Sequence, residues 1–87
     1  MMRYVLDGSE IRTKAAMLEA LAKAMNFPDY FGHNLDALTD VLYDLPDGEH
    51  TLVWRSPQTL RKADPANYEQ FVDILGNADR LTLVLAD

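Results

Sequence analysis

Three short β-prone runs stand far apart in this chain: Arg3 to Asp7 (RYVLD), His50 to Arg55 (HTLVWR) and Leu81 to Ala86 (LTLVLA). The residues between them follow a helical period rather than a turn pattern. Strands separated by whole helical segments cannot pair as hairpins, so they must run parallel and be joined by right-handed crossovers. The spacing therefore predicts an α/β fold: a three-stranded parallel sheet with helices packed on it, in the order β-α-α-β-α-α-β. Parallel sheets usually hide both faces, and the unbroken apolar run of the third strand predicts the same here.

Local signals mark four helices. Thr13 is an N-cap for a first helix in which Leu18, Leu21, Ala22 and Met25 recur at helical spacing, and Phe27-Pro28 closes it. Asn34 caps a second helix whose Leu35, Leu38, Leu42 and Leu45 share a face, ending at the Pro46-Asp47-Gly48 turn. Ser56-Pro57 and Asp64-Pro65 each place a capping residue before a proline, predicting a short helix from Pro57 to Lys62 and a further one carrying Tyr68, Phe71, Val72 and Leu75 inward. Gly76 is the expected stop of that last helix. With 87 residues and no linker or repeat, residues 1–87 are expected to form one domain.

The chain has no cysteine, which removes disulfides, thiolate metal sites and thiol nucleophiles together. Its first ten residues reach Asp7 before any apolar run, and no stretch approaches the roughly 18 apolar residues of a membrane span. The expectation is a soluble cytoplasmic protein that engages no membrane.

Charge narrows the function further. Eight Lys and Arg stand against fourteen Asp and Glu, a net charge of −6, which repels nucleic acid. Between Ala24 and Trp54 there is no Lys or Arg, yet Asp29, Asp36, Asp40, Asp44, Asp47 and Glu49 all fall there. Asp36, Asp40 and Asp44 follow at i, i+4 and i+8, drifting roughly 40° per step on a face away from the leucine stripe. Stacked carboxylates repel, and no basic residue of this helix relieves them. Such a face suits a cationic partner, although a solvated acidic helix face without function has the same pattern. Tyr30 and Phe31 precede the helix, and aromatics beside a charged face are frequent interface anchors. One of the two rings is expected in the core and the other at the surface. Gly32 between them and the helix serves a positive φ or a close approach.

Catalytic and metal readings fare worse. Asp36 and Asp40 lie one turn apart on a convex face, whereas a glycosidase needs its carboxylates across a cleft. No calcium-loop, HExxH, nucleophile-elbow or phosphate-loop pattern occurs, and His33 and His50 stand singly in or beside loops. No metal and no cofactor is implied, and a non-enzymatic protein is expected.

From Pro28 to Leu42 the residues P-D-Y-F-G-H-N-L-D-A-L-T-D-V-L resemble the barstar family of small intracellular ribonuclease inhibitors, whose pattern there is P-x-Y-[YF]-G-x-N-L-D-A-L-W-D-x-L. The opening G-S-E-I-R, the V-W-R of the second strand and the terminal L-T-L-V-L are similar to family positions more loosely. The resemblance implies the same element order, and a second helix that plugs a ribonuclease active site. It places the binding tyrosine at Tyr30, the helix-start asparagine at Asn34 and the two helix aspartates at Asp36 and Asp40, with Asp40 in the substrate-phosphate site. An acidic residue of the last helix that contributes in the family is matched loosely by Asp73. Thr39 stands where the family usually carries tryptophan, and Tyr43 to Gly48 replace a glycine-tryptophan segment, so the partner-facing surface differs there. What this implies is an immunity protein that binds a basic ribonuclease or related nuclease toxin through Tyr30, Phe31, Asn34, Asp36, Thr39, Asp40, Asp44 and Asp73. An acidic interaction domain for another basic toxin or a regulatory protein remains the alternative.

Overall fold

Parallel pairing joins β1 (Met2–Asp7), β2 (His50–Arg55) and β3 (Leu81–Ala86) in the order β1-β2-β3. The computed structural model describes residues 2–29 and 31–86. Between the strands lie α1 (Lys14–Ala24) and α2 (Leu35–Tyr43), then α3 (Gln58–Ala63) and α4 (Pro65–Gly76). The fold class and element order are those the spacing predicts.

Register decides what each face of the sheet does. Leu52 is aligned with Tyr4 and Leu83, and Trp54 with Leu6 and Leu85. These rows point to the helices, and Leu6, Leu52, Trp54 and Leu81 join Leu18, Leu21, Leu38, Leu60, Phe71 and Leu75 in one core. The alternate row, Val5, Val53 and Val84, lies on the other face, where Val5 is 51% and Val84 41% exposed. The expectation that both faces are covered is therefore wrong. Both crossovers step the same way across the sheet, and crossovers of one hand that never reverse direction lay all their helices on one side.

Caps explain most helix boundaries. Thr13 Oγ1 accepts from the Ala16 N–H at 3.1 Å, and Asp64 Oδ1 accepts from the Asn67 N–H at 3.3 Å. α1 ends before Pro28 acts, in a Schellman arrangement: Asn26 takes a φ of 54°, and the Phe27 N–H reaches the Ala22 carbonyl at 2.9 Å. Two cap expectations fail. Ser56 has a φ of 53° and spends its N–H on the Ala86 carbonyl at 2.8 Å, extending the sheet, so α3 starts after Pro57 with no side-chain cap. Gly76 is the last helical residue rather than a stop beyond it. Asn77 closes α4 instead, with its side-chain amide on the Asp73 carbonyl at 2.7 Å.

His50 is the buried polar residue of the core face, 4% exposed at the start of β2. Its Nε2 lies 2.8 Å from the Pro46 carbonyl, and its Nδ1 lies 3.0 Å from the Tyr4 hydroxyl. A carbonyl only accepts, so Nε2 carries the proton and the tyrosine donates to Nδ1. One ring thus ties the end of the α2–β2 turn to both strands, a packing role.

Candidate functional site

The second helix begins at Asn34, whose side chain bonds the backbone on both sides. Its Oδ1 accepts from the Ala37 N–H at 2.8 Å while its Nδ2 donates to the Gly32 carbonyl at 3.2 Å. The first bond caps α2 and the second holds the preceding loop against it, so Asn34 acts by positioning. Gly32 does not take the positive φ; His33 does, at 50°. A side chain at Gly32 would come within 3.3 Å of the Asn34 amide, so glycine serves the close approach. The His33 Nδ1–H donates to the Phe31 carbonyl at 3.0 Å.

Phe31 turns inward. It is 6% exposed, with its ring 5.0 Å from that of Phe27 and 4.9 Å from that of His33. This candidate contact residue also supports the loop from within, because the loop turns its ring toward the core. Tyr30, the expected anchor, lies outside the described residues.

Leu38 and Leu42 anchor α2, at 0% and 3% exposure. Burial of each is worth about 1.5–3 kcal/mol, whereas each stacked carboxylate pair costs a few tenths. The leucines win by an order of magnitude, and the helix tolerates its acidic face. Asp36, Asp40 and Asp44 are all exposed on the crest opposite those leucines. Among the described residues the ion pairs join Arg12 to Glu10, Lys23 to Glu19 and Arg80 to Asp47, and none reaches the three aspartates. Asp36 sits in the first turn, where the helix dipole favours it, and Asp44 caps the opposite end, where the dipole opposes it.

Thr39 of α2 and Asp73 of α4 border a common space. Both line a pocket of about 460 Å³ with Leu42, Tyr43 and Asn77. Thr39 turns its Oγ1 back onto the Leu35 carbonyl at 3.1 Å, so it does not fill that space as a tryptophan would. Asp73 accepts from the Asn77 amide at 2.9 Å. Tyr43, 80% exposed on the rim, is a candidate contact that composition alone did not mark; its place on the helical wheel, next to the aspartate stripe, was the available signal.

Asp36 and Asp40 do not face each other across a cleft; of the two, Asp40 alone lines the larger groove on the opposite flank of α2. No helix among the described residues is long and apolar enough to cross a membrane.

Residues 1–83 match the family profile described as Barstar (barnase inhibitor). A curated protein of Bacillus subtilis (strain 168), named "Putative ribonuclease inhibitor YrdF", is 36% identical over 56 residues, which are 64% of this chain and 62% of that protein. The chain thus spans less than two thirds of that relative's length. The family profile takes in nearly every residue from β1 into β3, including the acidic helix and the loop before it, and on that ground the chain belongs to the barstar family.

Proposed function

We propose that this chain is a stoichiometric protein inhibitor of a ribonuclease, acting as an immunity protein inside the cell that makes it. The observation that carries the reading is the run of Asp36, Asp40 and Asp44 on the crest of a helix fixed by an N-cap and two buried leucines, with no ion pair to any of the three among the described residues. Family membership and the name of the curated relative support it.

A ribonuclease site must be cationic to hold RNA, so a rigid acidic helix is complementary to it in sign. In this mechanism Asp40 stands in for a substrate phosphate. Asp36 and Asp44 extend the field along the helix, Asp73 adds to it from α4, and Tyr30 anchors the contact. Because the helix is already capped and packed, little ordering is needed on binding, which leaves more of the charge interaction as affinity. The chain itself carries out no reaction in this account.

Titration of barnase, and of any ribonuclease encoded beside this chain's gene, tests the proposal by RNA cleavage. Activity should fall linearly to zero at one equivalent of the chain. Full activity of every such enzyme at a large excess of the chain would overturn it.

A further inference from the structure

We propose that the groove on the far flank of α2 is a second docking surface for the target protein, taking a basic segment that carries one bulky apolar side chain. The inference rests on the inhibitor reading and adds a contact that the acidic crest does not supply. Helical geometry gives α2 two flanks beside the crest. On one flank Thr39 and Tyr43 slope toward α4; on the other Val41 slopes toward β1 and the end of α1. The second slope opens into a groove of about 760 Å³. Its floor is apolar, with Met25, Phe31 and Leu45 buried and Val41 partly so, and Met2 and Tyr4 form the opposite wall.

Its charged lining is of one sign. Asp40, Asp44 and Asp47 line the groove, and no Lys or Arg among the described residues does. Asp47 is tied to Arg80, while Asp40 and Asp44 pair with no cation among the described residues. An apolar floor under an anionic rim selects a ligand with an apolar tip and cationic shoulders, and it repels phosphates of nucleic acid or lipid. A second copy of this chain, with a net charge of −6, is repelled as well. The remaining occupant is a loop of the basic target, and Asp40 makes the site continuous with the crest because it borders both.

The probe is an acetylated, amidated Lys-Arg-Trp-Arg-Lys peptide, compared with the same peptide carrying Ser in place of Trp, with binding followed by NMR on the full chain. The tryptophan peptide should shift the signals of Val41, Leu45 and Met25 and bind about ten-fold tighter than the serine peptide, the scale of one buried aromatic anchor. Met2→Lys, at a half-exposed position of the opposite wall, should weaken the tryptophan peptide several-fold while melting as the parent does, and Val41→Lys should weaken it as much at some cost in melting, because Val41 also packs on the core. Shifts confined to Asp36, Asp40 and Asp44, or equal affinity for the two peptides, would overturn the groove. Inhibition assays separate this from the underlying reading. A chain that inhibits its ribonuclease equally well with and without Val41→Lys sinks the groove alone. A chain that takes the tryptophan peptide yet inhibits no ribonuclease sinks the inhibitor reading and leaves the groove's preference standing.

Discussion

The guanidinium of Arg80 donates to the carbonyl oxygen of Leu45 at 2.7 Å, and through the same nitrogen it reaches the Tyr43 carbonyl at 3.5 Å. Its other terminal nitrogen pairs with Asp47 at 3.2 Å. The last carbonyls of a helix have no partner within it, and an acidic helix with Asp44 at its end gains most from a cation there. The basic residue missing from α2 is thus supplied by the chain between α4 and β3, and it binds behind the acidic crest rather than on it.

Arg80→Ala should therefore lower folding stability by about 1 kcal/mol, the range of a charged hydrogen bond discounted for its half-exposed position. Arg80→Lys should recover only part, since an ammonium cannot span two carbonyls and a carboxylate as a planar fork does. Urea melts of the two variants check this, and an Arg80→Ala midpoint equal to the parent's would show that the contact contributes nothing.

Gly8 is required by its neighbours more than by its own conformation. A Cβ there would stand 2.5 Å from the Arg55 carbonyl oxygen and 2.6 Å from Nε1 of Trp54, which is wholly buried. Neither atom can yield cheaply, because one belongs to the central strand and the other to a ring packed 5.5 Å from that of Tyr68. Gly8→Ala should cost about 1–3 kcal/mol, the usual range for overpacking, with a change in Trp54 fluorescence that reports the shifted ring. A variant with parental stability and emission would mean that the loop after β1 relaxes freely.

What the chain discloses before folding is local. Thr13, Asn34 and Asp64 read correctly as caps because the bond each makes lies three residues away in its own segment. The acidic crest follows from the period of α2, and the parallel pairing of the strands from the helical segments between the apolar runs. Contacts that depend on topology were out of reach. Arg80 meets Leu45 across 35 residues, and the open face with Val5 and Val84 follows from both crossovers stepping the same way. Ser56 misled because the sheet claimed its N–H before a helix could. Phe31 turns inward through the path of its loop, which its residue class does not disclose.

Salt should weaken the complex mainly by slowing association. The crest acts on an approaching partner at distances where ions at physiological strength screen beyond about 8 Å, whereas the close contacts of the bound state are screened less. Stopped-flow association from low to high salt should show a steep fall with little change in dissociation. A rate indifferent to salt would remove steering by Asp36, Asp40 and Asp44 from the mechanism.

Binding and stability should move in opposite directions at Asp40. It is exposed, bonds to no cation among the described residues, and lies one turn from both Asp36 and Asp44, so removing its charge relieves two repulsions within the free helix. Asp40→Ala should melt at or slightly above the parent, by a few tenths of a kcal/mol. In the complex the same carboxylate faces the target's cations, and its loss leaves them desolvated and unpaired, so binding should weaken by several kcal/mol. Asp7→Ala is the control. Asp7 stands at the end of β1, away from α2, and its carboxyl is held below the usual range because it accepts from the Ser9 N–H at 3.0 Å. That substitution should leave inhibition unchanged, while Asp36→Ala should weaken it less than Asp40→Ala does. Inhibition titrations beside denaturant melts of each variant decide the matter. An Asp40→Ala chain that inhibits as the parent does would move the phosphate-mimicking role to another residue, whatever the melts show.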